Sequence, residues 1–444
     1  MMRKLQATCS VLALGALWMV SIGCYSPDYS GDGGFTCNKN GTCPEGFTCV
    51  GAAGSKVCVA DGTPVRDSGT PDQAVDATLG PSDASDKTLT CVIESDSAAV
   101  VADKNAKGTL GLAFDEPKKT LYASYITSDE MKIGTIHIIS GALGEELKEI
   151  HHQPIQGAET SIAAKNGKWV VVFQGKKNEL LGLRSTSKTT FQLSQKHTAA
   201  PHVLLAGPKE EEIVAVHQSE TKSLLQGELL RFDFKTGKQV GAYHIKANGY
   251  ASSGYQNMVV FDHTADPLVL AYGTIAAKTS EEPTLAALII ATLPLEKGPT
   301  SESATPLGTI DVNNTSVALA PGLHVAMARQ DLGEDQLITY RAPNKTDGVI
   351  VPELKTTSKP RLAVSKGMVG ILAINNLKQE AKLTVLDEKG ETWTPPTVLP
   401  KPAVVAQMVA TPGQHVNQVV FHVLYRGGDS GAQLFYQPIL CTRK

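Results

Sequence analysis

Thiols are the groups in this chain whose spacing most directly specifies chemistry. There are eight cysteines in 444 residues. Cys9 lies in the apolar run CSVLALGALWMV (9–20), and Cys24 follows that run after the small residues Ser21 and Gly23. Arg3 and Lys4 stand ahead of it. A basic start and an apolar core of about twelve residues have the layout of a secretory signal, too short for a membrane span of roughly 20 residues. The small residues Ser21 and Gly23 suit a cleavage site, and Cys24 is the thiol beside it. Cys37, Cys43, Cys49 and Cys58 crowd into FTCNKNGTCPEGFTCVGAAGSKVCV, whereas Cys91 and Cys441 stand far apart. Setting Cys9 and Cys24 aside, six thiols remain, an even number that suits an oxidising compartment.

Other side chains offer less. The eleven histidines are scattered; His151 and His152 form the one adjacent pair, with no HExxH or His-x-His spacing. His137, His217, His324 and His422 fall within strand-like runs and read as packed or rim residues. No Walker or GxGxxG loop appears between a strand and a helix. Neither a metal nor a cofactor is expected, and no catalytic residue is assigned. Arg361 opens a strand that could face a central opening, although a lone arginine there is more often a rim salt-bridge partner. RGGDSGA (426–432) reads as a hairpin turn. A net charge of −3 with dispersed lysines shows no basic patch for nucleic acid.

The stretch VSIGCYSPDYSGDGG (20–34) resembles a bacterial lipobox. The resemblance implies a diacylglyceryl anchor on Cys24 and cleavage before it. Ser21 stands where Leu is commonest in that family and Ile22 where Ala or Ser is usual. The spacing Cys37-x5-Cys43-Pro-x-Gly-x-x-Cys49 resembles short modules found after the lipobox in secreted proteins of myxobacteria and their relatives. So short a stretch cannot bury a core, and disulfides must hold it. Connectivity stays open, with Cys37–Cys49 and Cys43–Cys58 favoured.

The elements around these residues divide the chain into a signal peptide (1–23), a tether (24–36), the cysteine module (37–60), a linker (61–86) and one large domain (87–444). The linker holds six Asp among Pro, Ser, Thr and Gly, with almost nothing large and apolar to offset its ordering entropy. The large domain shows many short apolar runs separated by Gly, Pro and Asn turns. A unit recurs in it. It opens with a small-residue strand, as in GTLGLAFD (108–115), ETSIAAKNG (159–167), PHVLLAGP (201–208) and PRLAVSKG (360–367). A greasier strand follows, such as KWVVVFQ (168–174) or GMVGILAI (367–374), then a third, then a more polar fourth such as KQVGAYHI (238–245). Seven such units, starting at intervals of roughly 42 to 59 residues, predict an all-β fold, a seven-bladed β-propeller.

The seventh unit lacks its outer strand. KTLTCVIE (87–94), from the start of the domain, supplies it and brings Cys91 beside Cys441. LDEKGETW (386–393) resembles the Asp-box hairpin of sialidases, with Gly390, Thr392 and Trp393 in place and Glu388 at the Asp position. FDFKTGKQV (232–240) resembles the hairpins of quinoprotein-type propellers. Both are structural turns, and the Phe/Tyr-Arg-Ile-Pro stretch of sialidases is absent.

Three functions fit. The first, which we favour, is an envelope lipoprotein, membrane-anchored on the outer membrane, whose propeller is a non-catalytic scaffold for a protein or glycan ligand. The second is a glycoside hydrolase or lyase with paired carboxylates. The third is an outer-membrane assembly factor, by analogy with the propeller lipoprotein of that machinery. Aromatic content of 5% argues against a sugar-stacking site.

Overall fold

The computed structural model describes short strands at Phe35–Thr36, Phe47–Val50 and Val57–Ala60, and most of the chain from residue 88 to 444. Side chains are described mainly over 88–243 and 316–444. The signal segment, Cys24, Cys37, Cys43 and the linker lie outside the described residues. The chain divides into two compact units, residues 1–82 and 83–444.

In the first unit the three short strands form one antiparallel sheet, and its register sets Cys49 opposite Cys58. Phe35, assigned to the tether on sequence, pairs opposite Cys58 on the other side.

In the second unit, the described strands form seven successive antiparallel meanders. Their first strands are Ala106–Asp115, Thr160–Lys165, His197–Ala206, Gly254–Asp262, Thr315–Leu319, Arg361–Ser365 and Ala403–Pro412. Each falls on one of the seven recurrent small-residue segments. Every first strand touches the first strand of the next sheet, and that of sheet 7 touches that of sheet 1. A closed ring of inner strands is the defining arrangement of a β-propeller.

Residue size follows radial position. At Gly111, on the first strand of sheet 1, an added Cβ would stand 2.4 Å from Ser124 Oγ and 2.9 Å from Ile162 Cγ2 of sheet 2. No side chain fits there, which is why the innermost strands are small. Second strands are covered on both faces. All eight residues of Met368–Asn375 are buried. In Lys168–Gln174, Val170 and Val172 pack toward sheet 3 while Val171 and Phe173 pack toward sheet 1. The cores are therefore inter-sheet layers, and each fully buried aliphatic or aromatic side chain contributes about 1.5–3 kcal/mol.

Polar links tie neighbouring sheets at their turns. The Asp115 carboxylate, fully buried at the end of a first strand, accepts the backbone N–H groups of Asn166 (2.9 Å) and Gly167 (2.5 Å) in the corresponding turn of sheet 2. On the hairpin that resembles an Asp-box, Tyr340 of sheet 5 donates to the Glu388 carbonyl at 3.1 Å, and Gly390 turns with φ 73° against the Tyr340 ring. In that hairpin the carboxylate bonded to the turn backbone is the residue before Glu388. Asp387, not Glu388, supplies the carboxylate that accepts Glu391 N–H at 2.9 Å. Asp233 does the same in sheet 3, accepting Thr236 N–H and O–H at 2.6 Å each.

Closure follows the expected course. Leu89–Ile93 pairs antiparallel with Gln433–Arg443 as the outer strand of sheet 7, with Cys91 opposite Cys441. The two are joined by a disulfide, S–S 2.05 Å, across 350 positions of sequence. Ala99–Ala102 also pairs with Gln433–Arg443, an addition that the sequence did not announce.

Candidate functional site at the central opening

A histidine and two basic side chains are carried at the inner strands of two sheets. His202 lies on the first strand of sheet 3, Arg361 opens the first strand of sheet 6, and Lys359 precedes it by two residues. Sheets 3 and 6 lie three places apart in a ring of seven, so groups on their inner strands face one another across the centre. Lys359 and Arg361 both add to burial in lowering the His202 pKa.

Local structure fixes each group. The strand carrying His202 shifts register between Ala199 and His202. Pro201, just before it, has no N–H to donate, so the ladder breaks there and the following side chain is re-aimed. Lys359 sits on a pinned connection. Thr356, fully buried, donates its hydroxyl within reach of the Ser358 and Ile374 carbonyls, at 2.6 and 2.9 Å, and accepts Ser358 N–H at 3.1 Å. Pro360 then stiffens the entry to the strand. Arg361 Nε donates to the Ala406 carbonyl of sheet 7 at 2.8 Å. Arg361 thus sits beside Lys359 on sheet 6 and is braced by the backbone of sheet 7.

The electrostatics follow from enclosure. Burial first, then Lys359 and Arg361, hold the His202 imidazole down at about 3, so it is neutral at physiological pH. Burial, with the Arg361 guanidinium adding to it, pushes the Lys359 amine down to about 7. Burial lowers Arg361 as well. All three remain half-buried rather than sealed. Burial disfavours the charged form of each of the three groups.

The residues singled out on sequence fall elsewhere. His217, His324 and His422 lie on second strands and are buried at 0, 1 and 3% exposure, as packed histidines should be. His324 and His422 each place Nδ1 2.7 Å from a tyrosine hydroxyl, Tyr340 and Tyr436, and His422 Nε2 lies 2.9 Å from Thr411 Oγ1. His217 faces Glu228 at 3.3 Å. His137, on the third strand of sheet 1, stacks on Tyr125 and sets Nδ1 2.5 Å from Glu149, whose other oxygen meets His152 Nδ1 at 2.8 Å. Burial raises the Glu149 pKa, but the two histidines outweigh it and hold the carboxyl below its ordinary value. Among the described residues, no group of three or more His, Cys, Asp or Glu is placed to hold a metal. A cleft of about 230 Å³ near the outer strands of sheets 2 and 3 is lined by Leu193, Ser194, Glu228, Leu230, Gln239 and Tyr243. Two of its polar groups are already engaged, Glu228 with His217 and the Tyr243 hydroxyl with Arg231 at 3.4 Å.

Sequence reading found Arg361 and missed His202 and Lys359. The available signals were the proline before His202 and the Lys-Pro-Arg run at 359–361. Only ring closure brings residues 202 and 361 together.

No family model matches the chain, and no curated protein matches it. Among solved structures it is similar to the β-propeller domain of the trilobed protease of Pyrococcus furiosus, at 8% identity and a TM-score of 0.43, over 76% of this chain and 94% of that one. It is also similar to a subtype N11 neuraminidase-like protein of a flat-faced bat isolate from Peru, at 8% identity and a TM-score of 0.44, over 80% and 93%. The polysaccharide lyase Uly1 gives 7% identity and a TM-score of 0.45, over 80% and 99%.

Proposed function

We propose that the chain is an envelope lipoprotein, anchored through Cys24, whose propeller is a non-catalytic scaffold that takes its ligand at the central opening. The observation that supports the binding half is that His202 on the inner strand of sheet 3 feels Lys359 and Arg361 at the inner strand of sheet 6. A glycosidase of the two-carboxylate type needs an acid and a base or nucleophile about 5–10 Å apart. The groups here are an imidazole, an amine and a guanidinium, which do not supply that pair of carboxylates. The anchor half is supported by the lipobox-like residues around Cys24 and by a polar tether and linker able to lift a domain off a membrane. Localisation to the outer membrane goes with it, and the ligand is a protein or glycan reached from the envelope.

The test is site-specific photo-crosslinking in intact cells. A photoreactive amino acid replaces His202 in one strain and Val240 in another; Val240 is exposed on an outer strand. The expected result is a discrete adduct from position 202 that position 240 does not give. Equal adducts from both, or none from 202, contradict the reading.

A further inference from the structure

We infer that Cys49 and Cys58 form a cross-strand disulfide, which closes the cysteine module as a hairpin and leaves Cys37 and Cys43 as its second pair. This connectivity differs from the one favoured on sequence, and it is independent of the anchor and ligand readings above.

The register carries the inference. Phe47–Val50 and Val57–Ala60 are neighbouring antiparallel strands, and Cys49 stands directly opposite Cys58. Directly opposite residues of such strands have Cα atoms about 4.5 or 5.5 Å apart, according to whether they exchange hydrogen bonds. A disulfide spans Cα separations of about 4.4–6.8 Å, so either kind of pair can be bridged without moving the backbone. The chain contains the same relation elsewhere. Cys91 and Cys441 are directly opposite in an antiparallel ladder, with Cα atoms 4.1 Å apart, and they are bonded.

Sheet order opposes the crossed alternative. Val57–Ala60 is the central strand, with Phe35–Thr36 on one side and Phe47–Val50 on the other. Neighbouring strands lie about 4.7–4.9 Å apart, which sets the two flanking strands roughly 9.5 Å from each other. That exceeds the limit of about 7 Å for a disulfide. The chain leaves the far strand at Thr36, so a Cys37–Cys49 bond would have to turn back across the central strand. The six residues between the paired strands, GAAGSK (51–56), include no large apolar side chain. Packing cannot fix so small a turn, and a crosslink beside it can.

Formation needs a disulfide donor, which an oxidising compartment supplies. One thiolate of the pair attacks the donor and forms a mixed disulfide. The other then attacks the protein sulfur and releases the donor as a dithiol, so two electrons pass to the donor as the two cysteine protons are lost.

Peptide mapping of the full chain, purified from native membranes without reductant, tests the pairing. Free thiols are blocked first at acidic pH to stop exchange. Trypsin and a glutamate-specific protease cut after Lys39, Glu45, Lys56 and Arg66, which places the four cysteines on four peptides. The expected result is 46–56 linked to 57–66, and 40–45 linked to the peptide that ends at Lys39, whatever its start. A bond from 46–56 to either of the other two peptides overturns the inference, as do free thiols at Cys49 and Cys58. Cys49→Ser gives a second reading. Its single unpaired thiol should take an alkylating label on 57–66, and a label on 40–45 or on the peptide ending at Lys39 contradicts the pairing.

Discussion

Replacing both Cys91 and Cys441 by alanine is expected to lower the melting temperature of the propeller by roughly 5–10 °C. The bond closes a loop of 350 positions and joins the outer strand of sheet 7 to its neighbour. Loop-closure entropy for so long a loop gives on the order of 5 kcal/mol as an upper figure. The same strand carries Leu89 into the layer between sheets 6 and 7, beside Phe421 and Ile439. Without the bond, Leu89–Ile93 is held by its ladder and this packing alone, and it should be the first element to exchange its amides. The double variant avoids leaving a single reactive thiol. Thermal unfolding with and without a reductant checks the result: the parent chain should drop to the level of the double variant on reduction, and the variant should not respond.

The second large effect is acid lability centred on His422. Its imidazole is 3% exposed, between Thr411 and Tyr436, and burial lowers its pKa to about 4. In the unfolded chain it titrates near 6.5. Because the folded value is depressed, the unfolded state takes up the proton first as the pH falls. The stability associated with the neutral ring is complete above about pH 6.5 and is lost between there and pH 4. The span of about 2.5 units sets an upper figure of about 3 kcal/mol. His422→Gln keeps a hydrogen-bonding side chain that does not titrate. Its stability should change less between pH 7 and pH 4 than that of the parent, measured by urea midpoint at each pH. An identical pH slope in the two proteins would contradict this assignment.

Much of the fold was legible because radial position in a propeller dictates residue size. First strands are small because neighbours crowd them, as Ile162 crowds Gly111. Second strands are apolar on both faces because layers lie on both sides, as for Val170 to Phe173. Closure was legible because sheet 7 lacked a fourth strand and the early segment 87–94 held an unpaired cysteine. Ala99–Ala102 escaped notice because four small apolar residues carry no period of their own. That Asp387 rather than Glu388 caps this turn escaped because the two are adjacent carboxylates, and only the hydrogen bond to Glu391 decides between them.

The candidate site was legible in one residue of three. Arg361 could be assigned to the inner strand from its place in the repeat. His202 and Lys359 could not be joined to it, since the repeat gives a residue's position along a strand but not which residues face each other across the axis. That information enters with the three-dimensional placement of the inner strands around the ring, which a local pattern does not contain.

Anchorage and covalent closure both depend on a life outside the cytoplasm, and one measurement tests them together. It is intact mass spectrometry of the native protein extracted from membranes with detergent, with and without reduction. The account predicts a mature chain beginning at Cys24 and carrying acyl mass. It also predicts a gain of two hydrogens for each of three disulfides on reduction, with Cys91 and Cys441 in one linked peptide. A chain without acyl mass, cut elsewhere, or one whose Cys91 and Cys441 are free before reduction, would contradict it.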